Sequence, residues 1–289
     1  MKQRSISALG VGVVGLLPAI LGGPVWAAAF AVLCVIGMVE FLDMGRRLSP
    51  GVQSFGLIIV PLFALVAWFD CPEYALLGFA ALAVFLPIAE TTLRKDLAGS
   101  ATDWAYAAAG TLYLGLPLFA AVSLRRRPGE IDAEWLSNLA DDVAFKWDAY
   151  PRGLAWLLAI ILITWTSDTF AYLVGRQIGK HKFSPVVSPN KSLEGVAGGA
   201  IAAAIVGALT FKVFGIDDSI WIGLLGGALL AITGLFGDLI ESSLKRQSGV
   251  KDSGSIIPGH GGMLDRLDAM LLNFVVGLYL ALLVDHFVL

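Results

Sequence analysis

Apolar runs near twenty residues long alternate with short polar connections along almost the whole chain. A run of that length crosses the hydrocarbon core of a bilayer as an α-helix. The pattern predicts nine spans, at about 6–22, 24–43, 54–70, 73–90, 103–124, 153–174, 194–214, 219–241 and 267–286. Pro24, Pro72 and Pro151 fall at span starts, where a missing N–H does least harm. Pro18, Pro61, Pro87 and Pro117 fall inside spans and predict kinks, which membrane helices tolerate. The expected fold class is an all-α polytopic membrane protein of about nine transmembrane helices, with a polar cavity open to the cytoplasmic side. Residues 1–100 hold the N-terminal helices, and 101–190 the central ones with a polar insert near 125–152. Residues 191–289 hold the C-terminal helices and a charged loop at 237–268.

Lysine and arginine in the connections set the orientation. Lys2 and Arg4, Arg46 and Arg47, Arg94 and Lys95, Arg176 with Lys180, Lys182 and Lys191, and Lys245, Arg246 and Lys251 share one side of a nine-span count. The other side carries Asp70, Glu73, Asp217 and Asp218. The basic side is therefore expected in the cytoplasm, with the N-terminus inside and the C-terminus outside. Arg125, Arg126 and Arg127 fall on the wrong side by parity. Either a span is miscounted, or they adjoin a translocated insert whose six acidic residues weigh little in the rule. Within the insert, Trp135, Leu139 and Val143 recur at i, i+4 and i+8, with Asp132 as N-cap. They predict an amphipathic surface helix, read first as a solvated or interfacial connector and second as a partner-binding element.

Composition supports the membrane reading: 57% of residues are hydrophobic and 15% charged, and the mean hydropathy is +0.78. The N-terminus resembles a signal peptide, with Lys2 and Arg4 before an apolar run and small residues at Ala27 to Ala29. A first transmembrane helix is the simpler reading, because spans continue down the chain. A net charge of −3 says little about partners, and the lack of a broad basic face with aromatics excludes nucleic acid. Cys34 and Cys71 make neither a disulfide framework nor a zinc spacing. Gly195 with Gly199, and Gly223 with Gly227, have the spacing that lets helices approach closely. Packing within the chain is the first reading of these pairs and a homodimer the second.

Chemistry gathers between Gly237 and Asp268. Asp238 and Glu241 lie one turn apart near the end of the eighth span, and Asp265 and Asp268 open the ninth on one face. Asp168 lies inside the sixth. Ionisable groups at such positions face polar cavities by default. Asp238, Asp265 and Asp268 near one membrane depth would repel without a cation, and Mg²⁺ is the oxygen-seeking ion that also bridges phosphates. Lys245, Arg246 and Lys251 on the following loop, Lys191 in SPNKS, and Arg266 at a helix start suit phosphate oxygens. Positive-inside anchoring accounts for Arg46, Arg47, Arg94 and Lys95, and interfacial carboxylates for Glu40 and Glu90. His260, in PGHGG, reads equally as a turn residue and as a polar contact to substrate.

The run Ser242-x-Leu244-Lys245-Arg246-x4-Lys251-Asp252-x-Gly254-x2-Ile257-Pro258-x-His260-Gly261-Gly262-Met263-x-Asp265-Arg266-Leu267-Asp268 resembles the signature of phosphatidate cytidylyltransferases at every defined position. Upstream, SDTFAYLVGRQIGKHKFSPVVSPNKSLEG looks like that family's cytidine-nucleotide region, and the two stretches cover about a quarter of the chain. The polar insert around 128–152 departs from the shorter connection usual there. The resemblance implies an enzyme of the bacterial inner membrane, with a cytoplasmic active site, that joins CTP and phosphatidic acid into CDP-diacylglycerol and pyrophosphate. It implies Mg²⁺ on Asp238 and Asp265, with Asp268 supporting that shell or holding a second, monovalent cation such as K⁺. It places Asp238, Asp265, Lys245 and Arg246 at the chemistry. Asp168, Ser188, Asn190, Lys191, Lys251, Asp252, His260 and Arg266 then contact the substrates. The competing readings are a CTP-dependent polyprenol or dolichol kinase, an archaeal-type CDP-lipid synthase, and an ion-coupled transporter. The last lacks the internal symmetry such carriers show.

Overall fold

The computed structural model describes residues 15–45, 50–71, 73–93, 96–143, 149–256 and 261–287. A helical segment at 15–21 precedes α1 (Gly23–Met44), α2 (Pro50–Trp68), α3 (Glu73–Thr92), α4 (Ser100–Arg125) and the short α5 (Glu134–Val143). Then come α6 (Pro151–Ile178), a hairpin of β1 (Lys182–Ser184) and β2 (Ser188–Ser192), α7 (Leu193–Val213), α8 (Ile220–Ser248) and α9 (Leu264–Phe287). Among the described residues, seven helices are long and apolar enough to cross a bilayer, and the apolar part of α2, Gln53–Trp68, is shorter. The protein is thus an all-α polytopic membrane protein, with one β-hairpin among the described residues. That hairpin was not expected: its strands are three and five residues long, too short for an alternating pattern to stand out.

Pro24 and Pro151 occupy the first turns of α1 and α6, and Pro61, Pro87 and Pro117 lie inside helices, as the sequence predicts. The eighth run was expected to leave the helix at 241, but α8 continues to Ser248. Its backbone stays helical past the apolar span, and Glu241 with Lys245 adds an i, i+4 ion pair. Lys245 and Arg246 are therefore helical residues rather than loop residues. Gly249, at φ 74°, then ends the helix; its N–H bonds Arg246 O, and the Val250 N–H bonds Lys245 O.

α9 is the central post: it packs on α8, α4, α6 and α1. α7 lies between α6 and α8 on small residues, Gly199 against the Ser167 carbonyl and Gly207 against Gly223 and Gly227. The glycine pairs thus serve packing within the chain. α5 exists where the periodicity places it, but a different face is turned inward. Leu136 and Ala140 are buried, Leu139 is half-buried, and Trp135 and Val143 are exposed. Asp132 does not cap it: the first helical bonds run from the Leu136 and Ser137 N–H groups to Ala133 O. The helix docks through that face because it meets α6 and the turn after α7, where Trp135 Nε1 donates to Val213 O at 3.3 Å.

Arg125, Arg126 and Arg127 sit at the end of the bundle opposite Asp265. Arg125 is fully buried, and its Nε donates to Ala19 O at 2.8 Å. The Arg126 guanidinium lies 4.4 Å above the Trp68 ring, and Arg127 pairs with Asp285. All three are thus bonded into the fold at this end of the bundle.

Candidate active site

The polar end of the bundle begins at the hairpin. Lys182 pairs with Ser192 and Ser184 with Ser188. Glu194, in the first turn of α7, fastens the base. It accepts the Lys180 N–H at 3.1 Å, and its Oε1 lies 2.6 Å from His181 Nδ1. Ser192 caps α7 by accepting the Gly195 N–H at 3.2 Å. So braced, the hairpin carries Lys191 across to α8, with Nζ 2.7 Å from Asp238 Oδ2. Ser188 and Asn190 stand on β2, Ser188 half-buried and Asn190 exposed.

On α8, Asp238, Glu241, Ser242 and Lys245 share one face at i, i+3, i+4 and i+7. Ser242 Oγ donates to Asp238 Oδ1 at 3.1 Å. Lys245 Nζ bridges two carboxylates, 2.5 Å from Glu241 Oε2 and 2.5 Å from Asp265 Oδ1. Glu241 is fully buried. Asp265 also ties down the preceding loop: its Oδ2 accepts the Ser253 N–H at 2.9 Å, Ser253 Oγ at 3.0 Å and the Gly262 N–H at 2.8 Å.

Asp268 follows one turn later on α9. A Cβ on Gly237 would stand 2.5 Å from the Asp268 carbonyl, so the bare glycine lets α8 approach α9 here. Asp268 lies within electrostatic reach of Asp238, Glu241 and Asp168. Asp168, from α6, lies within reach of Asp238, Lys191 and Arg266. Arg246 is exposed and donates to Val187 O of the hairpin turn at 3.4 Å. Lys251 and Asp252 are exposed on the loop after α8. His260 lies outside the described residues.

The structure therefore brings together Asp168, Lys191, Asp238 and Asp268 around one centre, and Lys245 with Asp265 around a second. Further residues complete both. Glu241, which the sequence singles out with Asp238, and Ser253, which it does not, hold the second centre. The buried Tyr113 hydroxyl on α4, within reach of Asp268, Glu241 and Asp238, makes no hydrogen bond among the described residues. Nothing in the local sequence marks that tyrosine.

Among the described residues, no group of three or more His, Cys, Asp or Glu side chains is arranged to hold a metal ion. What the site offers is a pair of carboxylates, Asp238 and Asp265, each with an ammonium group already against one oxygen. Mg²⁺ binds through one or two carboxylates and completes its octahedron with water and substrate phosphates. The donor set fits an ion that arrives with a polyphosphate, with the lysines as cationic stand-ins.

Residues 2–284 match the cytidylyltransferase family. A phosphatidate cytidylyltransferase of Staphylococcus epidermidis (strain ATCC 35984) is 33% identical over 289 residues, covering 99% of this chain and 100% of the relative. Proteins of the same name from Staphylococcus aureus (strain COL) and Staphylococcus haemolyticus (strain JCSC1435) are also 33% identical, over 298 and 289 residues and with the same coverage. With carboxylates paired to lysines at one end of the bundle, and likeness along nearly its whole length, this chain belongs to the cytidylyltransferase family.

Proposed function

We propose that the protein transfers the cytidylyl group of CTP to phosphatidic acid, giving CDP-diacylglycerol and pyrophosphate. The relatives' shared name supports the substrate pair. The observation that carries the reading is the pair of lysine–carboxylate centres, Lys191 on Asp238 and Lys245 on Asp265, at one end of a membrane bundle. Both lysines can turn from carboxylate to phosphate without leaving the site, because each ammonium sits on a flexible stem.

Lys191 and Lys245, with Arg246 beside the hairpin, would neutralise the triphosphate and the departing pyrophosphate. The carboxylates they release, Asp238 and Asp265, would hold Mg²⁺, and Asp268 would support that shell or a second, monovalent cation. Bound there, Mg²⁺ would supply charge neutralisation at the phosphate oxygens. A phosphatidate oxygen bonds to the α-phosphorus while the α–β phosphoanhydride bond breaks, and the electron pair leaves with pyrophosphate. The phosphomonoester is largely ionised near neutral pH, so the protein positions charge rather than removing a proton. A nine-span arrangement with the basic connections in the cytoplasm would set this end of the bundle on the cytosolic face of a bacterial inner membrane. Acyl chains then stay in lipid while the headgroup enters sideways.

Purified protein given phosphatidate and CTP labelled at the α- or γ-phosphorus tests the reading. The α-label should move to lipid, and only with Mg²⁺ present. Transfer of the γ-label would make the protein a lipid kinase, and no transfer would overturn the assignment.

A further inference from the structure

We propose that Glu40 is a positioning residue for this reaction, the anchor that fixes where α9 presents Asp265. The inference rests on the proposed function for its chemistry, and on the following geometry for its mechanism. α9 starts at Gly262-Met263-Leu264, which offers no Ser, Thr, Asp or Asn to cap the first N–H groups. Glu40, near the end of α1, takes their place. Its Oε1 accepts the Met263 N–H at 2.9 Å and its Oε2 the Leu264 N–H at 2.8 Å. A carboxylate is favoured there by the positive end of the helix dipole.

The same carboxylate reaches the other side of the loop. Ser253 Oγ lies 2.9 Å from Glu40 Oε2 and 3.0 Å from Asp265 Oδ2, and the Ser253 N–H keeps Asp265 in place whichever way the hydroxyl turns. Glu40 is only 4% exposed. It also explains two glycines of the loop: a Cβ at Gly254 would stand 2.5 Å from Glu40 Oε1, and one at Gly262 would overlap Glu40 and Ser253. Glu40 thus touches both flanks of Asp265, whose other oxygen holds Lys245. A shift of this anchor moves the acid and the base together.

Glu40→Gln keeps the size of the side chain but can accept only one of the two backbone N–H bonds. In purified protein it should lower kcat on the order of tenfold while KM for phosphatidate stays unchanged. Hydrogen exchange at the Met263 and Leu264 amides should rise in the same variant. Gly262→Ala, which crowds the anchor from the loop side, should lower kcat likewise. Val39→Ala, exposed on the same helix, should leave transfer and exchange as they are. Wild-type kcat in folded Glu40→Gln, even with a lowered Tm, would reduce Glu40 to a stabilising cap and overturn the proposal. So would unchanged exchange at the two amides. Absence of transfer by the unaltered enzyme would fall on the proposed function, and the exchange measurement would still decide whether Glu40 holds the start of α9.

Discussion

The two ends of α9 hold charge in opposite ways. Asp265 and Asp285 are twenty residues apart on this helix, about 30 Å at 1.5 Å per residue, the thickness of bilayer hydrocarbon. At the Asp285 end the cations are guanidinium groups. Arg152 Nη2 lies 2.5 Å from Asp285 Oδ1, Arg127 takes the other oxygen, and Arg125 is buried among backbone carbonyls. Planar forks spread over several acceptors are always charged and pre-organised for those contacts. At the Asp265 end the cations paired to carboxylates, Lys191 and Lys245, are ammonium groups on flexible stems, while Arg246 donates to a hairpin carbonyl. On the proposed function, Lys191 and Lys245 would exchange carboxylate for phosphate, while the arginines around Asp285 would keep their partners.

The contrast breaks first at Asp238. Asp238→Asn keeps the shape and the Ser242 hydrogen bond but removes the charge that pairs with Lys191 and, on the proposed function, would hold a divalent ion. Cytidylyl transfer should fall about a thousandfold, or about 4 kcal/mol in transition-state stabilisation, while the purified protein stays folded. Magnesium-dependent turnover near the wild-type rate in this variant would remove Asp238 from the metal site. At the other end the effect should be on folding. Asp285→Ala leaves two guanidinium groups facing each other without an anion, and should cost about 3 kcal/mol of stability. Thermal unfolding in detergent would show a lowered Tm, and the protein that remains folded should transfer at the wild-type rate. A large kcat loss without loss of stability would mean that the two ends communicate.

Much of this contrast was legible beforehand, but unevenly. Span lengths and prolines located the long helices, because hydrocarbon thickness and the missing proline N–H act on short stretches of chain. Asp168, Lys191, Asp238, Asp265 and Asp268 could be picked out because charge in an apolar chain is costly enough to need a reason. Features fixed by distant partners were not legible. Arg125 looked like a misplaced topogenic charge, since its acceptors are carbonyls of residues near 20. Glu40 looked like an interfacial carboxylate, since Ser253 is 213 positions away. The Lys191 contact depended on a hairpin whose strands are too short to announce themselves.

Lys191 sharpens the comparison further, because it asks whether charge alone suffices. Lys191→Ala should reduce kcat/KM for CTP by about thirtyfold, roughly 2 kcal/mol, in line with loss of one charge-assisted contact. Lys191→Arg keeps the charge but binds as a fork. If exchange between carboxylate and phosphate matters, arginine should restore less than half of the lost activity. Full recovery with arginine would show that mobility is irrelevant and that the lysine–arginine division between the two ends has another cause.

The smallest effect is expected where the insert meets the bundle. Trp135 is half exposed, donates to Val213 O at 3.3 Å and rests against the Phe214 ring with centroids 5.8 Å apart. The face of α5 that is sealed belongs to Leu136 and Ala140, so the indole adds only a peripheral contact. Trp135→Ala should cost less than about 1 kcal/mol, because a half-solvated ring gains little from burial and its hydrogen bond is replaced by water. Transfer should be unchanged, since α5 docks at the end of the bundle where Arg127 and Arg152 pair with Asp285. A measured fall in kcat of tenfold or more, at unchanged Tm, would place the insert in the catalytic cycle. It would also show that the Asp285 end does more than hold the helices in register.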